Sequence, residues 1–475
     1  MSEPDPTQAY ADFDALWTRF AQEVHSPGLA AGVVRHGRLD HLFVTGVADV
    51  ALSRPVTADT GFRIASMTKN VTALAILMLR DEGRISLEAP IGDYVPELAA
   101  VRLPTADSPP VRVRDLLSHT EGFVSDDPWA DRMMGMTPDA FSALLKGGRI
   151  FAQAPGVAME YSNLGYGILG RAITNLTGQP FQRFITERLL APLGMTATTF
   201  DPFDVADDHR ARGYHWRDDA WGEEPPEPDG EIGAMGGLVT SSADYARYVA
   251  FLLDAWPARD DAETGPVRRA TRRELSLSHA MPGPANFRAV DAAMVPVASA
   301  YGYGMVSAHD PRLGRVLTHS GGLPGFGSNV LFSPEAGVGL FCFANVTYAG
   351  PQPTNFEAAT LLEAAGLWTS RPVAVSPALQ AAAETIAQAY AAGRLDGAAD
   401  RFAPNLLPDG PLAARNAFLA TLKAKFGDGR LERIEARHAL AGRAHLACQN
   451  GAVTCDIALI PGPDPKIQSL RFEAG

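Results

Sequence analysis

Lysine is nearly missing from this sequence. Of 41 basic residues, five are lysines (Lys69, Lys146, Lys423, Lys425 and Lys466) and the remaining 36 are arginines. These basic residues form no run or dense patch and the formal net charge is −13, so the electrostatic footprint of a nucleic-acid-binding protein is missing too. Long hydrophobic runs are also lacking. The longest, Ala73 to Leu79, falls far short of the ~20 apolar residues that span a bilayer, so no membrane partner is expected. The opening residues, MSEPDPTQAYADFD, carry neither a basic start nor the apolar stretch of a secretory signal. The expected location is cytoplasmic, with a processed periplasmic form left open.

Cysteine is scarce, at three residues. Cys342 stands alone in an apolar, strand-like run. Cys448 and Cys455 flank the residues of an expected hairpin, where a bridge between them stays open, but one bridge would not establish an oxidising compartment. His209, His215, His438 and His445 lack the spacing and flanking ligands of a zinc site, so no metal is expected. No G-x-S-x-G elbow occurs anywhere.

What is present is the balance of a globular protein, with 46% hydrophobic and 20% charged residues over 475 positions. That length predicts a large domain and at least one smaller one. Helical spacing runs from residue 7 to 25, with Phe13, Leu16, Trp17 and Phe20 on one stripe. Leu29–Val34 and Leu39–Thr45 read as strands joined by a turn at His36-Gly37-Arg38. The segment Ser66–Glu82 is apolar nearly all round, which predicts a buried helix. Residues 85 to 295 read mainly as helices and loops, among them Pro138–Lys146, Leu164–Leu176, Pro180–Leu190 and Ser242–Leu253. Within them Asp201–Asp229, rich in acidic, aromatic and proline residues, reads as a long surface excursion that shapes the leaving-group side of a site. Strand-like runs return at Tyr301–Ala308, Arg315–His319, Ser328–Phe332 and Val338–Ala344, followed by a helix at Phe356–Leu367. Strands at both ends of a helical middle predict one sheet assembled from distant parts of the chain. The stretch Thr369–Pro377 has linker composition, which divides the chain into domains 1–370 and 376–475. The second reads as two helices, Ala378–Ala392 and Leu412–Phe426, followed by four strands.

Three motifs carry chemistry. Ser66-Met67-Thr68-Lys69 places a hydroxyl and an amine on one face of a helix, three residues apart. A serine needs a base to become nucleophilic, and a lysine buried on this helix can serve if burial favours its neutral form. Lys69 is the one lysine of the five with a serine three residues before it. Tyr161-Ser162-Asn163 follows a turn and precedes a helix, so an extended tripeptide would aim the phenol and the amide to one side. The phenol can relay a proton, while the amide can orient Lys69 and hold a substrate carbonyl. His319-Ser320-Gly321-Gly322 sits at the end of the strand from Arg315. Its glycines allow close backbone approach, and an N–H near Gly322 can complete an oxyanion hole with that of Ser66.

In this order and at these separations, the three motifs resemble the serine β-lactamases and penicillin-binding proteins, in particular the class C-like group that includes D,D-peptidases, D-aminopeptidases and family esterases. The stretches Leu116-Leu117-Ser118-His119-Thr120-Glu121-Gly122 and Pro192-Leu193-Gly194-Met195 are similar to the same group. The resemblance covers about residues 10 to 368. It implies a β-lactamase-like α/β (α+β) fold: an antiparallel sheet flanked by helices plus a mainly helical subdomain, followed by the small α+β domain. That last domain weakly resembles the nuclear-transport-factor-like group. The resemblance further implies Ser66 as acylated nucleophile, Lys69 and Tyr161 as its proton-handling partners, an oxyanion hole from Ser66 and Gly322, and Asn163, His319, Ser320 and Gly321 against the substrate. It places His119 in a structural turn rather than in a Ser-His-Asp triad.

One departure matters. Where β-lactamases of this group commonly carry Lys-Thr-Gly, this chain has His319-Ser320-Gly321, and a mostly neutral histidine is a poor partner for a penicillin-like carboxylate. The sequence reading is therefore a hydrolase of esters or amides of small molecules or short peptides, ahead of β-lactamase or D,D-carboxypeptidase activity, with a non-catalytic binding protein as the reading from another class. His319 is also expected to tune Tyr161 through a hydrogen bond. No cofactor is needed, and a homo-oligomer stays open.

Overall fold

The computed structural model describes residues 5–474 apart from 149, 282–285 and 291–292. It divides into two compact units, Met1–Ser370 and Arg371–Gly475, with the division inside the linker-like stretch.

The first unit is built on a nine-stranded antiparallel sheet. In spatial order its strands are Arg54–Pro55, Arg38–Asp49, Gly28–Arg35, Val338–Ala344, Phe326–Ser333, Gly314–Leu323, Val306–Asp310, Ala293–Tyr301 and Asn286–Val290. The first strands of the chain thus pair directly with its later ones, Leu29 opposite Ala344. Gly28–Arg35 is buried along its whole length because both faces are covered. Its side chains alternate between the faces, as the two-residue period requires: Ala30 and Val34 enter one core, and Leu29, Ala31 and Val33 the other. The second of these cores is closed by the helices Thr7–Glu23, through Phe13, Leu16 and Trp17, and Gln352–Ala364, through Ala358, Ala359 and Leu362. The first holds Thr68–Asp81 and Ser242–Leu253.

Thr68–Asp81 is buried from Thr68 through Leu79 without a break. A helix with no polar stripe is stable only inside, where each fully buried Leu or Ile contributes ~1.5–3 kcal/mol relative to exposure. It begins two residues later than the sequence pattern suggests. Ser66 lies on a 3-10 turn, Ala65–Met67, entered through Ala65 at φ 50°, a left-handed conformation unusual for alanine.

The structure corrects several expectations. The run expected at Tyr301–Ala308 is two strands, one ending at Tyr301 and one starting at Val306, with a turn through Gly304 at φ 71° between them. The strand expected to stop near His319 continues to Leu323, so Ser320, Gly321 and Gly322 are paired with Asn329, Ser328 and Gly327. The glycines stay in the strand because the neighbouring backbone pairs with them. Residues before 295 include strands that the pattern hid, Asn286–Val290 and the start of Ala293–Tyr301, a run interrupted by Pro296. The excursion is no open loop. It forms a hairpin, Gly213–Arg217 with Ala220–Glu224, and Tyr214 exchanges backbone hydrogen bonds with Asn345 and Thr347. Among the described residues no helix is long and apolar enough to cross a membrane.

The second unit carries the helices Pro377–Ala392 and Leu412–Phe426 and a four-stranded antiparallel sheet ordered Gly429–His438, Ala441–Cys448, Gly451–Leu459, Ile467–Ala474. Its core gathers Leu379, Ile386, Tyr390, Leu419, Leu446 and Val453. The register answers the cysteine question. Cys448 lies opposite Gly451 and Cys455 opposite Ala444, and all three cysteines are free thiols.

Candidate active site

The three sequence motifs converge from separate elements of the first unit. Lys69 is fully buried, and its ammonium nitrogen lies 3.1 Å from Ser66 Oγ, 2.6 Å from Asn163 Oδ1 and 2.8 Å from the carbonyl of Met235. The ring of Tyr161 stands with its centroid 4.8 Å from the same nitrogen. Met235 belongs to a short 3-10 turn, Gly233–Met235, that nothing in the sequence marks as part of a site.

Asn163 opens the helix Asn163–Thr177, with Ser162 as an extended N-cap whose hydroxyl accepts from the Gly165 N–H. The helix is held from outside as well. The Asp126 carboxylate accepts the N–H groups of Asn163 at 2.7 Å and Leu164 at 2.9 Å, placing negative charge where a helix N-terminus favours it. Asn163 is fully buried and absent from the described lining of the cavity, so of the two tasks expected of its amide, the geometry holds the one directed at Lys69.

His119 binds backbone beside the site. It ends the helix Val113–Ser118 in the left-handed conformation, and its Nδ1 accepts the Ser162 N–H at 3.2 Å. Its ring packs 4.3 Å from that of Tyr161 and 4.7 Å from that of Tyr301. Burial, followed by the charge of Lys69 and then His319, pushes its pKa well below the usual histidine range, so it is neutral.

His319 does not make the hydrogen bond expected of it to Tyr161. Its Nε2 lies 3.0 Å from the hydroxyl of Tyr301 and its Nδ1 lies 2.7 Å from the carbonyl of Ser320, so both ring nitrogens are engaged away from Tyr161. Nδ1–H donates to the carbonyl, which leaves Nε2 to accept from the phenol. Burial, then the charge of Lys69, lowers its pKa to about 4. The imidazole is therefore neutral near pH 7 and supplies no fixed cation.

Beside these residues lies a cavity of ≈ 540 Å³, with Ser66, Tyr161, His319, Ser320, Gly321 and Gly322 in its wall. The strand Gly314–Leu323 forms one side. It approaches the serine turn so closely that a Cβ on Gly321 would stand 2.2 Å from the carbonyl oxygen of Ile64, and that same oxygen accepts from the Ser328 hydroxyl at 2.7 Å. Asn329 ties the strand, its Nδ2 lying 3.1 Å from each of Thr318 Oγ1, the His319 carbonyl oxygen and Ser320 Oγ. Sequence reading missed Asp131, Tyr301 and Tyr348, which also line the cavity. No described residue of Asp201–Asp229 lines it. The hairpin instead braces the segment around Asp131 from behind, through Arg132–Glu224 at 3.5 Å and the Met134 N–H on Glu227 at 2.9 Å.

The chain is similar to Protein flp of Staphylococcus aureus (strain NCTC 8325 / PS 47), 28% identical over 336 residues, which are 70% of this chain and 62% of that protein. It is also similar to Uncharacterized protein MT1414 of Mycobacterium tuberculosis (strain CDC 1551 / Oshkosh), 33% identical over 260 residues, 49% of this chain and 64% of that one. The matches thus span less than two thirds of the length of these relatives. Among solved structures, the octameric penicillin-binding protein homologue from Pyrococcus abyssi shares the fold, with a TM-score of 0.64 at 20% identity over 98% of this chain and 95% of that one. The family model described as Beta-lactamase matches residues 13–364. That match starts in the first helix and ends with the helix that follows the sheet, taking in every element that builds the site, and on it the chain belongs to the Beta-lactamase family.

Proposed function

We propose that this protein is a serine hydrolase that cleaves an ester or amide bond of a small molecule or short peptide through an acyl-enzyme on Ser66, in the manner of an esterase or aminopeptidase. The observation that carries the reading is the set of partners around Lys69. A neutral amine has two N–H donors and one lone pair. With Asn163 Oδ1 and the Met235 carbonyl taking the two donors, the lone pair is left facing the hydroxyl of Ser66, which is the arrangement a general base requires.

In this scheme Ser66 Oγ attacks the substrate carbonyl carbon while its proton passes to Lys69. The backbone N–H groups of Ser66 and Gly322 hold the oxyanion. Collapse breaks the bond to the leaving group, which takes up the proton by way of Tyr161. Water then adds to the acyl-serine with the same groups as base, and release of the acid restores the hydroxyl. Ser320 and Gly321 present the strand edge along which the acyl group lies. β-Lactamase or D,D-carboxypeptidase activity ranks second because neutral His319 offers no charge to a substrate carboxylate. The similar Pyrococcus protein is described as octameric, and a homo-oligomer is our expectation for this chain, to be read by light scattering.

The decisive experiment is intact-mass spectrometry of wild type and Ser66→Ala after a fluorophosphonate probe, run beside hydrolysis of a short-chain nitrophenyl ester, a D-amino acid nitroanilide and a chromogenic cephalosporin. Labelling that requires Ser66 supports the reading, and relative turnover ranks the activities. No labelling and no turnover would replace it with a ligand-binding role on the same fold.

A further inference from the structure

We propose that Thr68 and Thr72 are positioning residues of the reaction: they clamp the segment 234–238 from both ends, so that the Met235 carbonyl stays on Lys69 and the amine keeps its aim at Ser66. This rests on the serine hydrolase reading and adds to it what holds the base in line.

Thr68 and Thr72 lie one turn apart on the buried helix Thr68–Asp81, with Lys69 beside them, and all three side chains are fully buried. Each meets the same short segment. Thr72 Oγ1 donates to the Ala234 carbonyl at 2.7 Å, Lys69 Nζ donates to the next carbonyl, that of Met235, at 2.8 Å, and the Leu238 N–H donates to Thr68 Oγ1 at 3.1 Å. The acceptor that Lys69 uses is thus bracketed by two hydrogen bonds from its own helix.

The segment has little rigidity of its own. It reads Gly233-Ala234-Met235-Gly236-Gly237, and a glycine-rich run is the loosest backbone support for a carbonyl that must stay within hydrogen-bond reach. The neighbours demand glycine there: a Cβ on Gly233 would stand 2.2 Å from Asp229 Oδ1, and one on Gly237 2.9 Å from the Gly233 carbonyl oxygen. Rigidity has to come from outside, and the helix that carries the base supplies it.

The direction of the Thr72 hydroxyl is informative. Inside a helix a threonine hydroxyl commonly turns back to the carbonyl four residues before it, and Thr18, Thr360, Thr385 and Thr421 do so, each in a different helix of this chain. Thr72 gives its one proton to another element instead. On the far side of that element a Cβ on Gly170 would stand 2.6 Å from Ala234 Cβ, so the turn is also wedged against Asn163–Thr177, the helix that supplies Asn163. Both acceptors of the Lys69 amine are thereby fixed to one frame. Neither threonine is among the described lining residues of the cavity, so loss of either hydroxyl is expected to slow proton transfer from Ser66 and leave binding alone.

The test is the rate of Ser66 labelling by a fluorophosphonate in the full chain, followed against probe concentration to separate the limiting rate from the half-saturating concentration. Thr72→Val keeps the branched shape and loses the hydroxyl, whereas Thr72→Ser keeps the hydroxyl and loses a methyl group. Positioning predicts a limiting rate about 5- to 30-fold lower in Thr72→Val, the worth of a lost buried hydrogen bond, with the half-saturating concentration unchanged and most of the rate restored in Thr72→Ser. Thr68→Val is expected to show the same split. Should Thr72→Val not fold, Thr72→Ala and Thr72→Ser, which differ in the hydroxyl alone, make the same comparison. Valine variants as fast as wild type, or a serine variant no faster than the valine or alanine one, overturn this proposal and leave the hydrolase reading standing. Wild type that takes no label at Ser66 overturns the two together.

Discussion

Asn163 Oδ1 accepts a hydrogen bond from Lys69 Nζ at 2.6 Å across 94 residues of sequence, both groups being buried. Asn163→Ala removes this acceptor, and Asn163→Asp replaces it with an anion that pins the amine in its charged, non-basic form. The acylation rate is expected to fall about 10- to 100-fold in the alanine variant, the worth of a hydrogen bond to a charged group, and further in the aspartate variant. Stopped-flow labelling with a fluorophosphonate checks the order; an aspartate variant faster than the alanine one would contradict it.

His319 links the site to acid stability. Its folded pKa of about 4 lies below the 6.5 of an unfolded histidine, so between those values the unfolded chain binds a proton that the folded chain refuses. Stability rises with pH across that window and is lost as pH falls through it, by about 3 kcal/mol at most. Urea midpoints at pH 4.5 and 7 should lie closer together in His319→Gln than in wild type.

Glu121 titrates with the opposite consequence. Both carboxyl oxygens are buried without a hydrogen-bond partner among the described residues, and burial, ahead of nearby Asp115, Asp126 and Glu160, pushes the pKa well above 4.5. The folded chain keeps the proton that the unfolded chain releases, so stability falls as pH rises above 4.5, by up to about 1.4 kcal/mol per unit until the folded pKa is reached. Glu121→Gln is expected to gain stability over wild type at pH 8 relative to pH 5. Equal differences at the two pH values would refute this.

Gly321 sets how near the strand comes to the serine turn. In Gly321→Ala the added Cβ meets the Ile64 carbonyl oxygen at 2.2 Å, so strand and turn must separate. A loss of about 1–3 kcal/mol in stability is expected, as for other overpacked positions. A fall in kcat larger than any rise in KM is expected with it, from thermal melts and ester kinetics on one preparation.

Much of this architecture is legible in the sequence, and the illegible part has a physical pattern. The buried helix shows in an unbroken apolar run, and Ser66, Lys69, Tyr161, Asn163 and His319 show through short spacings that local geometry preserves. Asp126 does not, because it caps a helix that begins 37 residues later. The Met235 carbonyl contributes through its backbone, which any residue type would supply. Asp131, Tyr301 and Tyr348 reach the cavity from a loop, a strand end and the residues after the sheet, and only the folded register brings them together. Gly321 and Gly322 are legible as positions of close backbone approach, but not as part of a continuing strand, because glycine carries no side chain of the kind that marks one.

The order of strands in the sheet also governs how the protein is made. The Gly28 N–H binds Asn345 Oδ1, 317 residues further along, and the edge of Gly28–Arg35 that faces away from Arg38–Asp49 is covered by Val338–Ala344 alone. At ~5–20 residues per second of synthesis, that edge waits roughly a quarter of a minute to a minute for its partner to leave the ribosome. Until then a strand that is apolar from Gly28 to Val34 is open on one side to any other nascent chain. Expression at lowered translation rate lengthens that exposure, and a product cut short before Val338 cannot close its sheet.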